Sequence, residues 1–465
     1  MQMRMLARRD QIAKLLLVAI ILTYIVVACL FSFTVPLYEA PDEPHHLLYV
    51  DFIAAQHRLP NLNTADRVSV PNEGYQPPLY YALAAGLLNL LGRSRVDPVI
   101  LKNPAFFSTV PNVLNAYLHS PDEYLQPDAL IVHIIRLLSV FWGAVTVYLT
   151  YKIARTIRLT TDVALLAAAI NAFIPEFLFL TGTVSNDSMS WAMSSLVLLL
   201  TLRLYVNKDV DWHNVFYLGA ALSAALLTKA TLVILVPFII VVIMLKATLG
   251  QGRRIRPELL KVTLSLIVIV ALLAGWWYIR SVVLYNDFTG LKMNAELNPS
   301  LIVNRSIWSS YFETVFPVWV FYSFWAVFGW MNIWPSMAPG PYGLYFAFYG
   351  MLCLVGGTGA ILETFDPSGT PTSRSTIRLT LLMLIGFFVL ALAALIALNL
   401  TVNTPQGRFL FVAISPVCIL LAQGLSRAFR TKSDWFPRII LSGLVVVMFV
   451  MSIQFLLFLR AIYTT

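Results

Sequence analysis

At 465 residues, 59% hydrophobic and only 12% charged, with a mean hydropathy of +0.77, the chain lies far from the composition of a soluble domain, which carries about 25% charged residues. Its apolar residues come in long uncharged runs, which must cross a bilayer as helices because lipid satisfies no backbone polar group; the alternating segments of an outer-membrane barrel are absent from the sequence. The net charge of +9 is spread over short loops between these runs, which fits membrane topology and anionic headgroups and argues against a nucleic-acid partner.

The basic N-terminus, MQMRMLARRDQIAK, precedes an apolar run from Leu15 to about Phe33. That run is too long for the core of a signal peptide and lacks a clean small-residue cleavage site, so an uncleaved first span is expected. About eleven transmembrane helices are predicted, at 14–36, 130–154, 162–182, 187–205, 214–229, 231–247, 260–284, 342–363, 376–399, 409–427 and 437–460. The fold class is therefore all-α and polytopic, one membrane domain over 1–465. Basic groups such as Lys152, Arg155 and Arg158, Arg203 and Lys208, and Arg427 and Arg430 fall in alternate loops. The positive-inside bias then places the N-terminus in the cytoplasm of a multi-pass plasma-membrane protein.

Two long external segments follow, 37–129 and 285–341, with a shorter one, TVNTPQGR, before Phe409. In the first, PDEPHHLLYVDFIAAQHRL predicts a helix beginning near Pro44. QPPLYYALAAGLLNLLG, over 76–92, predicts a second helix, too short to span and suited to the membrane interface. The aromatic segment 306–334 is read as interfacial rather than as a twelfth span, which would invert every later loop. Cys29, Cys353 and Cys418 lie inside apolar runs and read as packing residues, not as a disulfide framework.

Charged groups near a membrane are the functional candidates. Glu39-Ala-Pro-Asp42-Glu43-Pro-His45-His46 follows the first span. Asp42 and Glu43 there could act as a general base, or Asp42, Glu43 and His46 could hold a divalent cation; the bland alternative is that Asp42 only caps the next helix. Lys229, Arg280 and Arg408 fall at outer ends of spans, where they either snorkel or hold a phosphate, Arg bidentately and Lys as a point charge. Arg136 reads as a structural partner for a carboxylate. Asp187, in Val184-Ser185-Asn186-Asp187, is a helix cap or a site residue. No nucleotide-binding glycine loop, GxSxG elbow or HExxH motif occurs in the sequence, which excludes an ATP-driven pump of the usual kind.

Four pieces taken together, APDEPHHLLYV, QPPLYYAL, GWWYIRSVVLYNDFTG and QGRFLFVAISP, resemble the GT-C superfamily of membrane glycosyltransferases, which includes protein mannosyltransferases and the aminoarabinose transferase of lipid A. The resemblance implies transfer of a sugar from a polyprenyl phosphate to an acceptor on the non-cytoplasmic face, by in-line inverting displacement. It puts Asp42 in the place of the catalytic base with Glu43 beside it. The residues themselves add Lys229, Arg280 and Arg408 as phosphate contacts and His46, Tyr80 and Asp187 as substrate contacts. The acidic pair is contiguous here instead of being separated by one residue, which leaves the use of a divalent cation open. Membrane lipid and a lipid-linked sugar are the implied partners. The competing readings are a transporter or flippase for a lipid-linked substrate and a non-catalytic subunit of a membrane complex. The gathering of charge at one face and the lack of an internal repeat favour the enzyme.

Overall fold

The computed structural model describes residues 2–96, 100–107, 113–120, 122–123, 126–249, 255–338, 340–366, 371–431 and 435–463. The chain opens with α1 (Gln2–Thr34), apolar enough to cross a membrane from Asp10 onward. The first long loop, of which some residues between 97 and 125 lie outside the described ones, then builds α2 (Glu43–Gln56), α3 (Asp66–Ser69), α4 (Leu79–Leu90), a two-residue hairpin pairing of β1 (Leu101–Lys102) with β2 (Tyr117–Leu118), and between them α5 (Pro104–Phe107). α2 starts where the proline predicts, with Pro44 in its first turn, where the missing N–H removes no helix bond. α4 is 12 residues long, about 18 Å at 1.5 Å per residue, too short to span. It buries Tyr80, Tyr81, Ala84, Ala85 and Leu88, and the Tyr81 ring stacks on Tyr49 of α2 at 4.1 Å between centroids.

The membrane helices follow. α6 (Pro127–Thr156) is continuous, whereas α7 (Thr161–Ala172) and α8 (Pro175–Thr181) meet at a 61° bend. Pro175 forces that break by driving Ile174 into an extended conformation, ψ 118°. α9 (Asn186–Val206) is capped by the Ser185 hydroxyl, which accepts from the Asp187 N–H, and α10 (Trp212–Thr228) by Asp211, which accepts from His213 and Asn214. Lys229 then adopts an extended conformation before a 3-10 turn leads into α11 (Leu235–Leu249). α12 (Ile255–Leu273) and α13 (Gly275–Tyr285) form a second bent pair, at 57°. The second external segment holds α14 (Leu291–Leu297) and α15 (Phe316–Trp325), the latter preceded by a π-turn at Tyr311–Val315. α16 (Tyr342–Phe365), α17 (Pro371–Thr401), α18 (Ile414–Ala428) with its leading 3-10 turn Gly407–Ala413, and α19 (Trp435–Tyr463) complete the chain.

Among the described residues, 8 helices are long and apolar enough to span, or up to 10 when each bent pair counts as one. The remaining predicted span, 214–229, is α10, whose 17 residues stop at Lys229. The aromatic segment 306–334 is no span: its helix is only 10 residues, preceded by the π-turn, and the chain turns extended at Ala326. Two segments occupy the interior, α9 and 407–428, in whose most apolar stretches 78% of the residues are buried, while in α1, α16, α17 and α19 the corresponding share is 33% and apolar side chains face outward, as in lipid-facing helices. α16 and α18 touch backbone to backbone. A Cβ on Gly424 would lie 1.7 Å from the Gly356 carbonyl oxygen, so only glycine fits that crossing.

Candidate active site

Four charged side chains from separate stretches converge on one cavity of about 260 Å³. Asp42 stands immediately before α2, Asp187 in the first turn of α9, Lys229 at the end of α10, and Arg408 on the 3-10 turn ahead of α18. Asp42 occupies the N-cap position of α2, but its side chain makes no capping bond and its backbone is left-handed, φ 64°. That twist frees the carboxylate to meet Arg408, whose Nη2 donates to Oδ2 at 2.8 Å. Arg408 Nη1 also approaches Asp187 at 3.8 Å, and Lys229 Nζ donates to Asp187 at 2.5 Å. Arg408 is 8% exposed, and its Nε is buried without a hydrogen-bond partner, while the Asp42 side chain stays 39% open.

The aromatic segment sets the position of Arg408. Gly407 lies flat against α15: a Cβ there would come within 2.3 Å of the Phe324 nitrogen, and the Gly407 N–H donates to Ser323 Oγ at 2.7 Å. α15 thus acts as an anvil for the turn that carries the arginine.

Burial alone raises the Asp42 carboxyl, but the Arg408 guanidinium outweighs it and holds Asp42 below the usual carboxylate range. Burial, followed by the Asp42 charge, pushes Glu73 the other way, up to about 8. Burial drives His46 down to about 3, so its imidazole is neutral; it shares a hydrogen bond with the Tyr81 hydroxyl at 2.8 Å and lines the same cavity.

Three of the sequence candidates are placed elsewhere. Glu43, adjacent to Asp42, turns away from the cavity, because the left-handed backbone at Asp42 lies just outside the helix that Glu43 begins. It is fully buried against Arg136, whose Nε and Nη2 donate to it at 2.7 and 2.6 Å, and it accepts from the Tyr38 and Val184 N–H groups at 3.0 and 2.9 Å. Arg136 is thus the carboxylate partner its sequence context suggested. Arg280 is outside the cavity, because the bend into α13 carries it to the first loop, where it donates to the Pro60 carbonyl at 2.6 Å. Tyr80 is buried with its hydroxyl 2.9 Å from Ser139 Oγ and does not reach the cavity. The suggested cation ligands Asp42, Glu43 and His46 are accordingly not gathered, and among the described residues no three His, Cys, Asp or Glu side chains form a cation-binding group.

The sequence reading missed the polar wall: Asn72, Glu73, Gln76, Asn294, Asn298 and Gln406 also line the cavity, with Tyr75 and Trp330. Most of these lie in loops that carry no periodicity. A signal was present for Glu73, the one charged residue between Arg67 and Arg93.

Glu39, from the same acidic cluster, has a different task. It is fully buried and accepts from His119 Nε2 at 2.9 Å and from the Ala116 and Tyr117 N–H groups, while His119 Nδ1 meets Glu123 at 2.5 Å. This latch ties the late part of the first loop to the end of α1. Burial works against the charged imidazole, but the two carboxylates outweigh it and push His119 up to about 9. A raised value means the stabilisation is complete below the unfolded value of about 6.5 and is lost as pH rises through about 9. The His119→Gln variant is expected to be less stable than wild type by up to roughly 3 kcal/mol at pH 6, with the gap closing by pH 10. Thermal midpoints of both proteins across that range check this; a gap independent of pH would refute it.

Residues 132–278 match the family described as dolichyl-phosphate-mannose-protein mannosyltransferase, a stretch that contains Asp187 and Lys229 but not Asp42 or Arg408. Over the whole chain, the structure is similar to that of ArnT from Cupriavidus metallidurans bound to undecaprenyl phosphate, with 12% identity, 96% of this chain and 71% of that one covered, and a TM-score of 0.50. It is also similar to the Archaeoglobus fulgidus oligosaccharyltransferase in its apo form (13% identity, 95% and 55% covered, TM-score 0.51) and in complex with an inhibitory peptide and a dolichol-phosphate (14%, 95% and 55%, 0.50). The chain therefore spans about half the length of the archaeal enzyme. No curated protein sequence matches the chain. The fold is that of the GT-C membrane glycosyltransferases.

Proposed function

We propose that this chain is a glycosyltransferase that moves a sugar from a polyprenyl phosphate to an acceptor hydroxyl at the non-cytoplasmic face of the cell membrane. The observation that carries this reading is the convergence of Asp42, Asp187, Lys229 and Arg408 on one cavity. Asp42 is ionised and open to the cavity, as a group that removes the acceptor's proton must be. The acceptor oxygen then bonds to the anomeric carbon as the bond to the phosphate oxygen breaks on the opposite side, inverting the centre. Charge develops on the departing polyprenyl phosphate. Arg408, with an unused buried Nε, and Lys229 stand ready to stabilise it. Asp187 holds both cations in place. Arg280, lying outside the cavity, is left out of this role.

A second cavity, of about 750 Å³ and almost wholly apolar, opens between α10, α11, α12 and α13. Leu226 and Val233, which line it, flank Lys229 in the chain. This groove suits an isoprenoid tail whose phosphate sits at Lys229. The ligands of the solved relatives, undecaprenyl phosphate and a dolichol-phosphate, support a donor of this class.

The test is turnover of a polyprenyl-phosphate sugar by purified protein in nanodiscs, wild type against Asp42→Asn, with long- and short-chain donors. Release of polyprenyl phosphate that disappears in the variant supports the reading. Binding without release, equal in both proteins, points to a transporter instead, and equal use of short and long chains removes the groove from the account.

A further inference from the structure

We propose that Glu73, with Gln406, forms a hydroxyl-reading subsite that selects a neutral, polyhydroxylated sugar on the donor lipid. The inference rests on the donor reading above and adds to it which part of the molecule these two residues recognise.

Two residues that line the cavity each have one buried side-chain oxygen without a hydrogen-bond partner, Glu73 Oε2 and Gln406 Oε1. Glu73 is 9% exposed, and the neutral imidazole of His46, its Nδ1 4.0 Å away, is already engaged with the Tyr81 hydroxyl. Buried polar atoms are seldom left unpaired in a resting protein, and an occupant that offers hydrogen-bond donors there removes the deficit. An ionised phosphate has no donor to give the Gln406 oxygen. A sugar hydroxyl has one, and it accepts in return.

The rest of the wall has the same character. Asn72, Gln76, Asn294 and Asn298 supply amide groups, and Trp330 supplies an apolar face. The two cations lining the cavity are each already paired, Arg408 with Asp42 and Lys229 with Asp187. Both are the groups a phosphate would use, and among the described residues no further Lys or Arg lines the cavity to compensate a negatively charged sugar. Glu73 holds its proton in this setting, facing Asp42 and His46 from the α2 end, Asp187 from α9, Lys229 from α10 and Arg408 from the turn before α18. In that state it presents one donor and one acceptor, the complement of a hydroxyl and a poor match for an ammonium group.

The experiment measures binding to the full chain in nanodiscs of three lipids: a polyprenyl phosphate, the same lipid bearing a neutral hexose, and the same lipid bearing an amino sugar. Glu73→Ala is expected to weaken the hexose lipid by about 10–100-fold while leaving the sugar-free lipid within about twofold. Glu73→Gln, which keeps a donor and an acceptor, is expected to stay near wild type, and Gln406→Ala to follow Glu73→Ala in direction. Retained binding of the sugar-free lipid shows that each variant is folded. Equal weakening of both lipids by Glu73→Ala, or weakening of neither, overturns the proposal while the donor reading stands. Tighter binding of the amino-sugar lipid than of the hexose lipid by wild type overturns the assignment of a neutral sugar. If wild type binds none of the three lipids, the donor reading falls and this inference with it.

Discussion

Arg408→Ala is expected to lower single-turnover release of polyprenyl phosphate by about 10³-fold. Removing a group that stabilises developing oxyanion charge typically reduces the rate by about 10²–10³-fold. Here the same side chain also keeps Asp42 ionised. Without it, Asp42 faces Asp187 and Glu73 with Lys229 as the remaining nearby cation lining the cavity, and its carboxyl must rise. The sign of the pH effect follows. In wild type the acid limb of the rate lies below the ordinary carboxylate range, and in Arg408→Ala it moves to higher pH. Arg408→Lys restores the charge without the planar fork and should fall between the two. A loss of less than tenfold, or an acid limb that does not move, would remove Arg408 from the account of catalysis.

Arg136→Ala is expected to destabilise the protein by about 3–5 kcal/mol, the usual consequence of breaking a buried ion pair by removing one partner. Both side chains are 0% exposed. Arg136 also donates to the Ser32 and Val35 carbonyls at 2.6 and 2.9 Å and to Pro36 at 3.2 Å, so it closes the end of α1 as well as neutralising Glu43. The variant leaves a charged carboxylate and three carbonyls without their partner. Thermal unfolding in detergent should show a large drop in midpoint. Replacing Glu43 and Arg136 together with apolar residues of similar volume should recover only part of it: the pair's desolvation penalty disappears, but the three carbonyls and the Tyr38 and Val184 N–H groups still lose this partner. Activity should fall with Arg136→Ala although the residue touches no substrate, since Glu43 begins the helix that Asp42 precedes. An unchanged midpoint would show that the pair is not a structural keystone.

The helical membrane architecture was readable because long apolar runs leave a chain in lipid no other choice. Pro44 and Pro175 marked a helix start and a helix break through their own stereochemistry. The break at Ala274–Gly275 had no such signature, and it decided where Arg280 went. The charged members of the cavity stood out in sequence as charges where charges are expensive, which is why Asp42, Asp187, Lys229 and Arg408 could be named before any coordinates. What sequence could not resolve was direction. Asp42 and Glu43 are neighbours with the same chemistry, and the left-handed turn at Asp42, just before the helix begins, leaves one at the cavity and the other against Arg136. The uncharged wall was invisible for a related reason. Asn72 and Gln76 in a loop, and Asn294 and Asn298 on and just after the short α14, carry no signal until the fold brings their two distant segments to one surface.

The left-handed backbone at Asp42 restricts which neighbours in sequence space this protein can visit. At φ 64°, Asp, Asn and Gly are accommodated readily, whereas other side chains meet a steric penalty of roughly 1–2 kcal/mol. Glutamate, the usual drop-in for an aspartate, is therefore disfavoured by the main chain before its extra length matters. Asparagine is geometrically welcome and one nucleotide away from aspartate. A gene copy released from the need for activity could thus lose its carboxylate in a single step and keep its fold intact, so that inert siblings of such a protein would differ from active ones at a position no stability screen would reveal.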